Sequence, residues 1–166
     1  MQAHRTLQIL LVVIFGILLF SATADEPFQL DNMDFPAVAR ATSVSGVPVY
    51  YRGEENPKLT GLYHPPLYIY ALAAWIKLFG FGEVPVRMFG IACALLQAGI
   101  VLAIIQTLLG RKRARHIAPW FLAAFLLNPY TLQTASIADI DSTVYGPVLC
   151  AILLYTLRLT LSLIHI

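Results

Sequence analysis

Long apolar runs separated by short polar segments dominate the chain. A helix needs about 20 apolar residues to cross a hydrocarbon core of about 30 Å. Four runs reach roughly that length without an Asp or a Glu, namely residues 7–23, 84–109, 117–134 and 143–161. The pattern therefore predicts an all-α membrane protein with about four transmembrane helices.

A fifth apolar run, residues 65–79, is shorter and reaches only about 22 Å at 1.5 Å per residue. It opens with Pro65 and Pro66, which suit a helix start, and its tyrosines and tryptophan are typical of a membrane–water interface. We expect a juxtamembrane or re-entrant helix in a large first outer loop, residues 24–83. His64 precedes this helix, where it is either structural or suited to contact a phosphate.

Composition agrees with a membrane protein. Hydrophobic residues make up 58% of the 166 residues and charged residues 12%, with a mean hydropathy of +0.73, whereas a soluble domain carries about 25% charged residues. The net charge of +2 does not predict nucleic-acid binding. Cys93 and Cys150 each lie inside an apolar run, where we expect small buried side chains rather than a disulfide or a metal site.

The basic residues predict the orientation. The densest basic cluster, residues 111–115, lies in a short loop, and Arg5 precedes the first run; the positive-inside rule assigns both to the cytoplasm. Two crossings then separate them, which leaves residues 24–83 and 135–142 outside. We expect a multi-pass protein of the cell (inner or plasma) membrane with a cytoplasmic N-terminus. Residues 22–24 also resemble a signal-peptidase site, and cleavage there would remove the first helix but leave the loop outside.

Acidic residues collect in the two predicted outer loops. Asp31 and Asp34 precede a helical pattern, and on local grounds Asp34 is its N-cap, with Pro36 near the first helical position. Asp139 and Asp141 lie between the third and fourth runs. Asp141 is either a cap of the fourth helix or part of a site, because ionisable groups at membrane depth are usually retained for function.

Three motifs follow one another in the sequence. The first is an acid soon after the first helix, in the pattern D-E-x-x-[FY]-x-x-x-A, which reads D-N-M-D-F-P-A-V-A at residues 31–39 and is followed by Arg40. The second is [HK]-P-P-L leading into an apolar helix that ends L-F-G. It occurs here at residues 64–67 and 78–80, followed by Arg87.

The third motif is an acid before an apolar helix, here Asp141 after the N-P turn at residues 128–129. In order and spacing, the motifs resemble the N-terminal part of the GT-C membrane glycosyltransferases. The closest branch is the dolichyl-phosphate-mannose protein mannosyltransferase-like group (family 39), which includes bacterial aminoarabinose transferases. The resemblance covers essentially residues 7–161 and implies that residues 1–161 are the N-terminal part of a GT-C transmembrane domain.

The resemblance implies an enzyme that moves a sugar from a polyprenyl-phosphate donor to a lipid, glycan or protein acceptor. Transfer would take place on the outer (periplasmic or extracytoplasmic) side of the membrane, and membrane lipids would surround the protein. Asp31 would be the general base, and arginines would stabilise the donor phosphate. The implied site residues are Asp31, Asp34 and Asp141 (catalytic), His64, Arg40 and Arg87 (donor phosphate), and Asp139 and Tyr63 (acceptor and site shape). No cofactor or metal ligand is assigned; some relatives use a divalent metal, which two carboxylates do not establish.

The chain departs from the family at Asn32, where the pattern has Glu, so Asp34 is the candidate to replace the missing carboxylate. A GT-C-like protein without catalysis is therefore one alternative. A non-catalytic multi-spanning protein, either a transporter or an assembly factor, is another, although transporters favour sites near the midplane. Residues 162–166 resemble translated sequencing-adapter read-through. We expect them to be non-native and the chain to be a fragment that is inactive alone.

Overall fold

The computed structural model of the chain describes residues 2–23, 30–48, 66–137 and 143–164. No strand occurs in these ranges, which confirms the predicted all-α fold for this part of the chain. The helices are α1 (Gln2–Thr23), α2 (Leu30–Ser45), α3 (Leu67–Phe79), α4 (Glu83–Leu126), α5 (Pro129–Ile137) and α6 (Tyr145–Ile164).

The backbone of α4 breaks at Gly110. Gly110 has φ 76° and ψ 158°, which lie outside helical geometry and in the positive-φ region that favours glycine. A straight helix would put Ala94 and Phe125 about 46 Å apart at 1.5 Å per residue, but both line one pocket. The first arm (residues 83–109) and the second arm (residues 111–126) therefore fold back on each other as a hairpin.

The predicted third apolar helix, residues 117–134, has the wrong bounds. The second arm ends before a turn at residues 127–128, and α5 follows as a separate helix. Pro129 causes the break, because it lacks an N–H donor and disfavours helical geometry in the residue before it. Asn128 Oδ1 accepts a hydrogen bond from the Tyr130 N–H at 2.8 Å and so caps α5.

The helix α2 starts earlier than the local sequence signals predict. It begins at Leu30, so Asp31 and Asp34 lie inside the helix and Pro36 lies beyond its first turn. The predicted N-cap role of Asp34 is therefore wrong. The local signals are outweighed because α2 packs along α3, and tertiary packing of an apolar face supplies most of the stability of a short helix.

One apolar cluster joins α2, α3, the first turns of α4 and the residue before α6. Its buried members, here called the end cluster, are Ala39, Tyr68, Ile69, Leu72, Ala73, Ile76, Val86, Phe89 and Val144. Tyr68 is fully buried and packs edge-to-face on Phe35 and Phe89, with ring centroids 6.4 and 5.9 Å apart. Trp75 Nε1 donates a hydrogen bond to the Pro85 carbonyl at 2.8 Å, which ties α3 to α4.

A second cluster packs α1 on the hairpin. Its buried members, here called the central cluster, are Leu11, Phe15, Leu19, Ala94, Ala98, Leu122, Leu126 and Ala135. Gly90, Ala94 and Ala98 recur every four residues along the first arm, and such small-residue faces let membrane helices approach closely. Gly90 lies so near α5 that a Cβ there would overlap the carbonyl oxygen of Ala135.

The outside of the bundle carries many large apolar side chains, such as Ile9 and Ile17 on α1 and Leu149 and Ile152 on α6. Two helices, Glu83–Leu126 and Tyr145–Ser162, are long and apolar enough to cross a membrane, with mean hydropathies of 2.4 and 1.4 over an 18-residue stretch of each. Exposed apolar surface of this extent suits a lipid or protein partner. Helix length and composition thus favour a membrane protein.

Candidate functional site

The end cluster gathers the helices associated with the three sequence motifs at one end of the bundle. Helix α2 carries the first motif, α3 follows the second, and Val144 lies just after the third. Residues of α2 and α3 and Val144 belong to one cluster with Val86 and Phe89, which lie at the start of the first arm. From Phe89 to the turn at Gly110 the first arm rises about 32 Å, so this end lies opposite the exposed basic residues of the hairpin turn.

Arg87 lies at the start of α4 with only 14% of its side chain exposed, and its Nη2 lies 4.0 Å from Glu83 Oε2. Because Glu83 is 53% exposed and the separation is at the limit of an ion pair, their attraction contributes little. Arg87 thus holds a mostly buried positive charge at a helix N-terminus, where the helix dipole also favours an anion.

Arg40 reaches the same region from α2. Its guanidinium carbon lies 4.7 Å from the centroid of the Phe81 ring, which is a cation–π contact. Phe81 follows Gly80, whose φ of 87° ends α3 and whose N–H donates to the Ile76 carbonyl at 2.8 Å. Stacking uses the face of a guanidinium and leaves its planar N–H edge for hydrogen bonding to an anion. Both arginines therefore border the α3–α4 turn.

The structure describes the side chains of two predicted site residues, Arg40 and Arg87, and brings both to the α3–α4 turn. Asp31 and Asp34 lie on α2, but their side chains are outside the described part of the chain. The remaining predicted site residues also lie outside the described residues, namely Tyr63, His64, Asp139 and Asp141. Their predicted roles stay predictions.

A pocket that the sequence reasoning missed lies between the first arm, α5 and the start of α6. Its cavity holds about 230 Å³. Small residues on neighbouring helices leave this space, and the polar side chains that line it are Gln97, Tyr130, Thr131, Thr134, Thr143 and Tyr145. One sequence signal could have indicated it, since Gln97 is an amide in the middle of the apolar run at residues 84–109.

Two hydroxyl groups of this pocket are buried and unpaired. Thr143 Oγ1 and Tyr145 OH have no hydrogen-bond partner among the residues that the structure describes, and Thr143 is only 6% exposed. A buried hydroxyl without a partner costs about 1–3 kcal/mol. The Gln97 amide packs over Gly146, where a Cβ would lie 2.6 Å from its Oε1. Because both hydroxyl groups are fully buried, they lie behind the surface of the pocket and are not exposed to its space.

Within the described ranges, no group of three His, Cys, Asp or Glu side chains is placed to hold a metal ion. Cys93 and Cys150 are both free thiols. No family model, curated protein or solved structure matches the chain. Its function must therefore be argued from the two arginines, the acids predicted near them and the polar pocket.

Proposed function

We propose that the chain is part of a GT-C-type membrane glycosyltransferase, which transfers a sugar from a polyprenyl-phosphate donor to an acceptor on the outer side of the membrane. The observation that carries the proposal is the position of Arg40 and Arg87 at one end of a membrane-length helix. A polyprenyl-phosphate sugar has its tail in the bilayer and its phosphate at the surface. Apolar helices that end beside two guanidinium groups suit both parts.

The proposed topology is multi-pass, and the crossing segments are α1, the first arm of α4, the second arm continued by α5, and α6. The basic hairpin turn and the N-terminus lie in the cytoplasm, and the end cluster lies on the outer side. An interfacial α3 is supported by its packing, since Tyr68 and Trp75 both contact Phe89 in the second turn of α4. Helix α3 therefore packs against the start of the first arm.

In the proposed reaction, Asp31 removes the proton from an acceptor hydroxyl. The hydroxyl oxygen then attacks the anomeric carbon, and the bond from that carbon to the phosphate oxygen breaks. The departing polyprenyl phosphate takes the electron pair of that bond, and Arg40, Arg87 and His64 stabilise its negative charge. Asp34, Asp141, Asp139 and Tyr63 would shape the acceptor side of the site.

A transporter is less well supported, because a transport site of the acidic type places carboxylates near the midplane of the membrane. Residues 84–137 contain neither Asp nor Glu. Both proposed crossings of the hairpin therefore lack such a group, whereas the acids of the chain are concentrated outside the apolar runs.

Phosphate capture is tested by photolabelling the chain in lipid nanodiscs with a diazirine-bearing short polyprenyl phosphate. We expect Arg87→Gln to lower labelling at least about tenfold, since a hydrogen bond to a charged group contributes about 1.5–3 kcal/mol. Arg113→Gln is the matched control, because it removes one exposed arginine from the far end of the hairpin. Equal labelling of the two variants would contradict the proposal.

Sugar transfer is tested in the protein encoded by the complete reading frame. Asp31→Asn should abolish transfer while membrane insertion and polyprenyl-phosphate labelling persist, because the change removes a proton acceptor and leaves both arginines in place. Normal transfer by this variant would rule out Asp31 as the base.

Topology is tested by cysteine labelling in a Cys93→Ala, Cys150→Ala background. A membrane-impermeant maleimide applied to intact cells should react with Val44→Cys, since Val44 is 88% exposed near the end cluster on α2. It should not react with Lys112→Cys at the hairpin turn. Labelling of position 112 from outside would reverse the orientation.

A further inference from the structure

We infer that the hairpin turn of α4 carries a docking surface for the headgroups of anionic phospholipids, so that acidic lipids collect around this end of the bundle. The surface consists of the basic residues of the turn and of Trp120 on the second arm. The inference goes beyond the proposed function, since it depends on the hairpin crossing a membrane and not on sugar transfer. It is carried by the charge of the turn, by the helix face that holds this charge and by the exposed tryptophan on the same face.

The charge of the turn is concentrated in one short stretch. Four of the five residues at 111–115 are basic and exposed, namely Arg111, Lys112, Arg113 and Arg115. Residues 84–137 contain neither Asp nor Glu, so an arm or more of the hairpin separates the cluster from the nearest acid along the chain on either side. Basic clusters beside a membrane-spanning helix attract anionic headgroups within about a Debye length.

The second arm has a packed face and an outward face. Ala114, Ala118 and Leu122 recur every four residues and are buried, so this face of the arm packs inside the bundle. Arg113 and Trp120 are seven residues apart, which is about two turns of helix, and they therefore share a face. Both side chains are exposed. The outward face thus combines a positive charge with an indole ring.

Trp120 gives this face the character of a membrane–water interface. Its side chain is 77% exposed, and it lies five residues after Arg115, or about 7.5 Å along the helix. Tryptophan is enriched at the level of the headgroups, and long basic side chains extend from there towards the phosphates. Ile117 lies between the charges and Trp120 and is also exposed. The order of charge followed by apolar surface matches the order of phosphate and acyl chain in a phospholipid.

An anionic phospholipid suits both parts of this surface. Its phosphate accepts charge-assisted hydrogen bonds from guanidinium groups, and its acyl chain covers Ile117 and the ring of Trp120. The second arm continues into the bilayer directly after the surface, so lipids are its neighbours, and the charge of the turn decides which headgroups are preferred. A zwitterionic headgroup carries a cation beside its phosphate, and this cation is repelled by the turn.

The test is quenching of Trp120 fluorescence by brominated lipids in vesicles. The chain has two tryptophans, so Trp75→Phe leaves Trp120 as the single one. This variant is reconstituted in phosphatidylcholine vesicles that contain a minor, equal fraction of either brominated phosphatidylglycerol or brominated phosphatidylcholine, with the bromine atoms near the top of the acyl chains. Both leaflets have the same composition, so the orientation of the protein does not affect the result.

At low ionic strength we expect brominated phosphatidylglycerol to quench Trp120 at least about threefold more strongly than brominated phosphatidylcholine. The difference should shrink as salt is added, because exposed charges are screened. Equal quenching by the two lipids at low ionic strength would overturn the inference.

Two double variants in the same background locate the surface. Lys112→Gln with Arg113→Gln removes two of the four charges and should bring quenching by the two lipids close to equal. Lys112→Arg with Arg113→Lys is the matched control, because it keeps the charge and should keep the preference. Unchanged quenching by brominated phosphatidylcholine in both variants shows that Trp120 stays at the same depth. A preference that survives the loss of both charges would refute the assignment to the hairpin turn.

Discussion

Substitution of Gly90 by alanine tests the close contact between the hairpin and α5. A Cβ at position 90 would lie 3.1 Å from the carbonyl carbon of Ala135 and would overlap its oxygen. Both atoms belong to the backbone, so α5 as a whole has to move before the methyl group fits. Gly99 is the matched control, because it lies on the same arm and a Cβ there meets nothing within 4 Å.

The expected magnitude comes from the difference between these two variants. Replacing glycine by alanine inside a helix stabilises it by about 0.8–1.0 kcal/mol, and this gain is common to both positions and cancels. What remains is the overpacking at position 90, which typically costs about 1–3 kcal/mol. Because the clash involves backbone rather than a flexible side chain, we expect the upper half of this range. Gly90→Ala should thus be about 2–3 kcal/mol less stable than Gly99→Ala.

Unfolding in mixed micelles with increasing sodium dodecyl sulfate measures this difference, with the fluorescence of Trp75 and Trp120 as the signal. The Gly90→Ala midpoint should fall well below that of Gly99→Ala at equal helix content. If Gly90→Ala were as stable as Gly99→Ala, α5 would not pack against the first arm as described. The pocket between them would then lose its structural basis.

Two further substitutions test the hairpin turn and the link between α3 and α4. Gly110→Ala should destabilise the protein by about 1–3 kcal/mol, because alanine is strained at φ 76°. Gly16→Ala is the control within a helix, because a Cβ at position 16 meets nothing within 4 Å, and it should not destabilise the protein. Equal unfolding midpoints for the two variants in the same assay would contradict the break of α4 at Gly110. Trp75→Phe should lower the free energy of unfolding by about 0.5–1.5 kcal/mol, because it removes the hydrogen bond to the Pro85 carbonyl. An unchanged unfolding midpoint would show that this bond does not stabilise the packing of α3 on α4.

The apolar pattern predicts most helices because their length and composition are local properties. The run at residues 84–109 ends where the first arm ends, at a glycine followed by the basic turn. The run at residues 65–79 matches α3 closely. The prediction fails where a polar turn is hidden in an apolar context. Residues 117–134 read as one run by hydropathy, although Asn128 and Pro129 divide it.

The candidate site is less accessible to sequence reasoning, because its parts meet only through tertiary structure. Gln97 and Gly146 are far apart along the chain, yet the Gln97 amide occupies the space beside the Gly146 backbone. Nothing local marks Thr143 or Tyr145 as pocket residues, since a threonine and a tyrosine at a helix start are ordinary cap and interface residues. Arg40 and Arg87 could be singled out only through the motifs, and the α3–α4 turn accounts for their place in one region of the fold, since Arg40 stacks on Phe81 and Arg87 lies near Glu83.

Helix packing and the shape of the pocket depend on the same small residues in this bundle, which limits how the two can be separated by mutation. Gly90 and Ala94 let α5 and the second arm approach the first arm, and both also line the pocket. A larger side chain at either position would fill the pocket and loosen the bundle together, so lost binding there would be ambiguous.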